Sequence, residues 1–141
     1  MYSRLDYAPL GAYSDGLLAV CDSNGNCGYV NKGGRVIIPL QYEEADNFSE
    51  GLAAVCTNGL WGYIDTKGKT ITAPLFADAW QFSEGLAPVQ TQTGWGYIDK
   101  KGSMAIPAVY DSALLFRNGL AYVTRDGESF YIDRDGHRIA P

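Results

Sequence analysis

A unit of about 34 residues occurs four times in tandem along this 141-residue chain. Such a repeat constrains the architecture before any single residue does, because each copy must be one structural unit that cannot bury its apolar face alone. The opening aromatic of each copy falls at Tyr13, Phe48, Phe82 and Phe116, spaced by 35, 34 and 34 residues. A Gly-Leu pair follows (Gly16-Leu17, Gly51-Leu52, Gly85-Leu86, Gly119-Leu120), then a valine (Val20, Val55, Val89, Val123). Next come a tyrosine with a β-branched neighbour (Tyr29-Val30, Tyr63-Ile64, Tyr97-Ile98, Tyr131-Ile132) and an Asx (Asn31, Asp65, Asp99, Asp133). A glycine three residues on (Gly34, Gly68, Gly102, Gly136) and a proline (Pro39, Pro74, Pro107, Pro141) complete the pattern. The first three copies add an aromatic and, three residues later, an alanine: Tyr42 and Ala45, Phe76 and Ala79, Tyr110 and Ala113. The units are therefore 13–47, 48–81, 82–115 and 116–141 within one domain spanning 1–141, preceded by a partial connector at 1–12.

Local chemistry assigns each unit three strands. Leu52 to Thr57 is short, apolar and β-compatible. Asn58-Gly59 supplies positive φ at little cost and turns the chain into a second strand, Trp61 to Asp65. Asp65 and Gly68 bracket a second turn, in which the Asx side chain bonds its own backbone. A third strand, Thr70 to Ala73, is expected to end at Pro74, which has no N–H to donate. Pro88, inside the corresponding first strand of the third copy, is expected to mark an edge. No stretch carries a convincing helical period over 11 or more residues. The predicted fold is all-β: four three-stranded antiparallel meanders, stacked as an array. The segment 1–12 mimics the connector that the fourth copy lacks, so both a ring closed by the N-terminal segment, with residues 5–10 against 125–139, and an open stack fit the pattern.

Composition excludes more than it suggests. The 11 Lys and Arg residues are scattered and the net charge is −5, so nothing tracks a phosphate backbone and nucleic acid is not an expected partner. No apolar run approaches the roughly 20 residues of a membrane span. The first residues lack an apolar h-region, which reads as cytoplasmic by default, or as periplasmic or secreted if Met1 is not the natural start. Cys21, Cys27 and Cys56 have no metal-like spacing, and no metal or cofactor is expected. Cys21 and Cys27 flank the first turn of the first copy. They can bridge if they form a non-hydrogen-bonded cross-strand pair in an oxidising compartment, leaving Cys56 free.

The runs FSEGLA and WGYID with the following Lys-Gly, quoted from copies two and three, together with the later proline, aromatic and alanine, resemble the bacterial WG repeat family. The similarity covers essentially the whole chain, although Cys27 and Ser129 stand where Trp61 and Trp95 stand in the middle copies. It implies an all-β binding or scaffold module and brings no catalytic residues with it.

Candidate residues divide into structural and free. Asp65, Asp99 and Asp133 read as turn residues, since Asn31 fills the same place. Asp133 and Asp135 look like the start of a calcium loop, but no further acid follows at the right distance. Glu50 and Glu84, matched by Asp15 and Asn118, also read as turn residues. His137 reads as a surface histidine. Tyr29, Tyr63, Tyr97 and Tyr131, with Trp61 and Trp95, are expected to be structural aromatics. Gly62 and Gly96 beside the tryptophans suggest close approach of another segment. Trp80 differs, because Asp46 and Leu114 occupy its place in neighbouring copies and the fold does not demand an aromatic there. Trp80, Tyr122 and Asp46 are therefore the candidate binding residues. The expected function is non-enzymatic binding of another macromolecule, most simply a protein. The alternatives are an inhibitor or immunity-type partner of a bacterial toxin or hydrolase, and binding of cell-envelope glycan.

Overall fold

The computed structural model describes the backbone of residues 8–9 and the whole of residues 12–139. They contain strands and turns, with no helix. The chain divides into two compact units, Met1–Leu75 and Phe76–Pro141, each described by itself. In the first unit the strands are β1 (Ala8–Pro9), β2 (Leu18–Cys21), β3 (Cys27–Val30) and β4 (Val36–Tyr42), then β5 (Glu44–Ala45), β6 (Leu52–Thr57), β7 (Leu60–Asp65) and β8 (Thr70–Phe76), which ends at the boundary. The second unit continues with β9 (Asp78–Ala79), β10 (Leu86–Thr91), β11 (Gly94–Asp99), β12 (Met104–Tyr110), β13 (Ser112–Ala113), β14 (Leu120–Arg125) and β15 (Glu128–Asp133).

The predicted meanders are present, and each gains a short fourth strand. The sheets run β1-β2-β3-β4, β5-β6-β7-β8, β9-β10-β11-β12 and β13-β14-β15. The alanine segment at the end of one copy does not merely connect; it pairs with the first long strand of the next copy, as in Ala45↔Val55, Ala79↔Val89 and Ala113↔Val123. The head of the chain plays the same part for the first copy, where Ala8 pairs with Cys21 and Pro9 with Val20. That explains its likeness to a connector. Of the contact expected between residues 5–10 and the fourth copy, residues 5–7 and 10 lie outside the described residues.

Two proline expectations need correction. Strands β4, β8 and β12 run through Pro39, Pro74 and Pro107 instead of ending there. Between the pairs Cys27↔Tyr42 and Tyr29↔Ile38, one residue of β3 faces three of β4, and β11–β12 repeats this with Trp95↔Tyr110 and Tyr97↔Ile106. The proline sits in this bulge, where no ladder N–H is needed. The bulge in turn presses on the glycine opposite. A Cβ at Gly28 would stand 2.5 Å from the Ile38 carbonyl oxygen, one at Gly62 2.5 Å from that of Thr72, and one at Gly96 2.6 Å from that of Ile106. Only glycine leaves room there. Pro88 is likewise not at an edge, because β10 lies between β9 and β11. It is tolerated because the two-residue β9 has already ended beside it, and its carbonyl accepts the Trp80 N–H at 3.1 Å.

Within each unit the two copies share a core. In the first, Leu17, Ala19, Tyr29 and Ile38 of one copy cluster with Phe48, Val55 and Ile64 of the next. In the second, Leu86, Tyr97 and Ile106 cluster with Phe116, Val123 and Ile132. The tyrosine makes the joint specific. The Tyr29 ring meets Phe48 edge-on at 4.7 Å and its hydroxyl donates to the Asp46 carbonyl at 2.5 Å. Tyr97 meets Phe116 at 4.9 Å and donates to Leu114 at 2.6 Å. Such ring pairs add about 0.5–1.5 kcal/mol beyond area burial. Burial raises the pKa of both phenols, so the hydroxyls stay protonated donors.

The acids before Gly-Leu adopt the left-handed region, with φ of 53° at Asp15 and 56° at Glu84, a conformation costing about 1–2 kcal/mol outside glycine. Their carboxylates accept the Gly51 and Gly119 N–H groups of the next copy, each at 2.8 Å. Beside them, the Ser14 and Ser83 hydroxyls donate to the Phe48 and Phe116 carbonyls. These residues therefore hold a turn and also link consecutive copies.

The Asx turns behave as read. Asp65 accepts the Lys67 and Lys69 N–H groups at 2.9 Å, and Asn31 accepts those of Gly33 and Arg35 at 3.0 Å. The backbone N–H of Lys69 lowers the Asp65 pKa, with further help from Lys67 and from both lysine charges. A lowered folded pKa stabilises above the ordinary carboxylate value of about 3.9 and is lost as pH falls through the folded value. Asp65→Asn, copying the first repeat, keeps both bonds without the titration. Its urea midpoint is expected to gain on the parent's as pH falls from about 5 to about 2. A constant offset between the two would remove the carboxylate from the account.

Candidate functional site

The fourth copy breaks the pattern of its predecessors. Tyr131 aligns with Tyr29 and Tyr97, which are fully buried, yet it is 50% exposed. The expectation that it is a structural aromatic is corrected here. The phenylalanine that meets Tyr29 or Tyr97 belongs to the following copy, and the carbonyl that accepts its hydroxyl to the segment leading into that copy; among the described residues no such segment encloses Tyr131. Its cross-strand partner is Tyr122, 40% exposed, in the position of the buried Ala19, Ala54 and Pro88. The two rings lie 5.0 Å apart and tilted.

Trp80, 47% exposed, and Leu114 join these tyrosines around a groove of about 600 Å³. The floor and rim are completed by Leu115, Leu120, Arg117 and Asn118. Trp80 and Leu114 occupy equivalent positions whose backbone is fixed, their N–H groups donating to Pro88 and Tyr122. Their side chains line the groove. Two of the three binding candidates, Trp80 and Tyr122, are thus brought together. Asp46 holds the same slot in the first unit, also exposed, and does not line this groove. The sequence reading missed Tyr131, Arg117 and Leu114. The available signal was the change from Ser14 and Ser83 to Arg117.

Trp61 and Trp95 are half-buried, not core residues. Each is the second residue of the second long strand of its sheet, opposite Cys56 or Gln90; Trp95 packs against the edge of the second core. The same cross-strand slot holds Cys21 and Cys27 in the first copy, where they form a disulfide with Cα atoms 4.0 Å apart. The adjoining Asp22 N–H donates to Asn26, so the cysteines are the close, non-hydrogen-bonded kind of pair. In the fourth copy, Thr124 and Ser129 meet there through their hydroxyls at 3.2 Å. Cys56 is a buried thiol whose pKa burial raises, aided by Glu43.

Phe130 takes the place of the crowded glycine. It fits because, among the described residues, the side of β15 away from β14 carries no full strand, only the bridge Ile132↔Arg138. Arg138 instead lies over the Phe130 ring at 4.3 Å and pairs with Glu128 at 2.7 Å. In the last turn, ligand-type atoms of Asp133, Asp135 and His137 lie within 4.8 Å of one another. Asp133 there accepts the Asp135 and His137 N–H groups at 2.9 Å, the turn geometry of the other copies. Among the described residues no helix is long and apolar enough to cross a membrane.

The family model for the WG containing repeat matches three successive stretches, residues 28–61, 61–92 and 95–128. The chain matches no curated protein in sequence. Among solved structures it is similar to the crystal structure of HIRA(644-1017), with a TM-score of 0.57 at 10% identity. The likeness covers 95% of this chain and 52% of that one, so the chain spans about half the length of that structure. At that identity the likeness concerns the fold alone.

Proposed function

Because this chain belongs to the WG containing repeat family, we propose that it is a non-enzymatic β-repeat module that binds another protein, and that the groove of the fourth copy is its binding face. One observation carries this reading: positions that other copies bury under a neighbour are exposed here and gathered with Trp80 into an aromatic hollow. Exposed apolar patches rimmed by polar groups are characteristic of interaction sites, and Trp, Tyr and Arg dominate binding energy where they occur. Among the described residues lining the groove, no nucleophile stands beside a base, which supports binding over catalysis.

The test is capture of a partner from the source cell by the full chain and by its Trp80→Ala and Tyr122→Ala variants. Each substitution is expected to weaken capture about tenfold or more, while the urea midpoint corresponds to a loss of about 1 kcal/mol or less. Undiminished capture by both variants would move the binding face elsewhere. One stoichiometric target makes the module an inhibitor-type partner, whereas retention on envelope polysaccharide in place of protein overturns the protein reading.

A further inference from the structure

Resting on the groove as the binding face, we infer the chemistry of its occupant. It is a peptide segment of a partner protein in which a carboxylate side chain stands beside a bulky apolar one, and it is not another repeat of this kind.

The exclusion comes from size. At the joints inside each unit, the position of Tyr122 is held by Ala19 or Pro88, both buried. A phenol ring in that slot fills the space that a following sheet would occupy, and overpacked joints are destabilised. The links between copies are altered as well. Arg117 stands in place of Ser14 and Ser83, whose hydroxyls reach the next copy, and neutral Asn118 in place of Asp15 and Glu84, whose carboxylates accept its glycine N–H. The fourth copy thus carries the repeat fold with an altered outer face.

The same substitutions describe what fits. A hollow of about 600 Å³ accommodates a few side chains, not a folded sheet. Leu114, Leu115 and Leu120 beside three aromatic rings favour an apolar anchor over the hydroxyls of a sugar. Arg117 is the only charged residue among the described residues lining the groove. It makes no ion pair among the described residues, on a chain whose net charge is −5. An occupant that covers it without supplying an anion would bury an unpaired cation, whereas a carboxylate forms a paired, charge-assisted contact.

A phage-displayed library of random peptides, panned on the full chain and in parallel on its Arg117→Ser and Tyr122→Ala variants, tests this. Sequences enriched on the parent are expected to carry Asp or Glu next to Leu, Phe or Trp. Replacing that acid by its amide in an end-blocked synthetic peptide is expected to weaken binding about tenfold. Arg117→Ser should remove the difference between acid and amide, and Tyr122→Ala should weaken both peptides. Enrichment that depends on Tyr122 but is indifferent to acid and to Arg117 overturns the inference and leaves the groove as the binding face. Absence of any Tyr122-dependent enrichment overturns both. A dimer of the chain in sedimentation that Tyr122→Ala abolishes would show that another repeat docks there, and also overturns the inference.

Discussion

Gly96→Ala is expected to lower stability by about 3 kcal/mol, the top of the usual overpacking range, although it adds one methyl group. The new carbon would lie 2.6 Å from the Ile106 carbonyl oxygen and 2.8 Å from the Ala108 backbone. These atoms belong to the proline-bearing bulge of β12, so relief requires moving backbone, not a flexible side chain. Gly51→Ala is the control. Its φ is +84° and nothing lies within 4 Å of the added carbon, so only the left-handed conformation is penalised, by about 1–2 kcal/mol. Urea unfolding of the two variants separates a steric cause from a conformational one. Equal losses would mean that the bulge yields and that the Trp-Gly pair is not explained by close approach.

Tyr97→Ala is expected to cost about 3–5 kcal/mol, the range for truncating a large buried aromatic, and Tyr131→Ala about 1 kcal/mol or less. The two residues occupy the same position of the same repeat. Tyr97 packs on Phe116 and bonds the Leu114 carbonyl, whereas Tyr131 is half exposed beside Tyr122. Tyr97→Phe isolates the hydroxyl and should lose about 1–1.5 kcal/mol, since it strands the carbonyl. Calorimetric or urea midpoints decide the matter. Similar losses for the two alanine variants would show that the fourth tyrosine is as well packed as the third, and would remove the main support for the groove.

Much of this protein was legible in the sequence because the determinants are local. Period 34, the Asx turns at Asn31 and Asp65, the glycine turns and the all-β class follow from backbone preferences that a few neighbouring residues set. Even the singling out of Trp80 came from comparing copies, since a position that holds Asp46, Trp80 and Leu114 is one where the fold does not demand an aromatic. The limits appeared wherever a partner distant in sequence decided the outcome. Pro74 and Pro107 read as strand ends because nothing local announces a bulge. The alanine connectors read as linkers because their partners lie in the next copy. Glu84 read as a turn residue alone, its acceptor role depending on Gly119 some 35 residues away.

The sequence by itself determined the repeat, its turns and its strands, since each is written in short-range backbone chemistry. Tertiary structure alone decided which of four equivalent tyrosines is buried and which is exposed. Burial is conferred by a neighbouring copy, and among the described residues Tyr131 meets no counterpart of the phenylalanine that encloses Tyr29 and Tyr97.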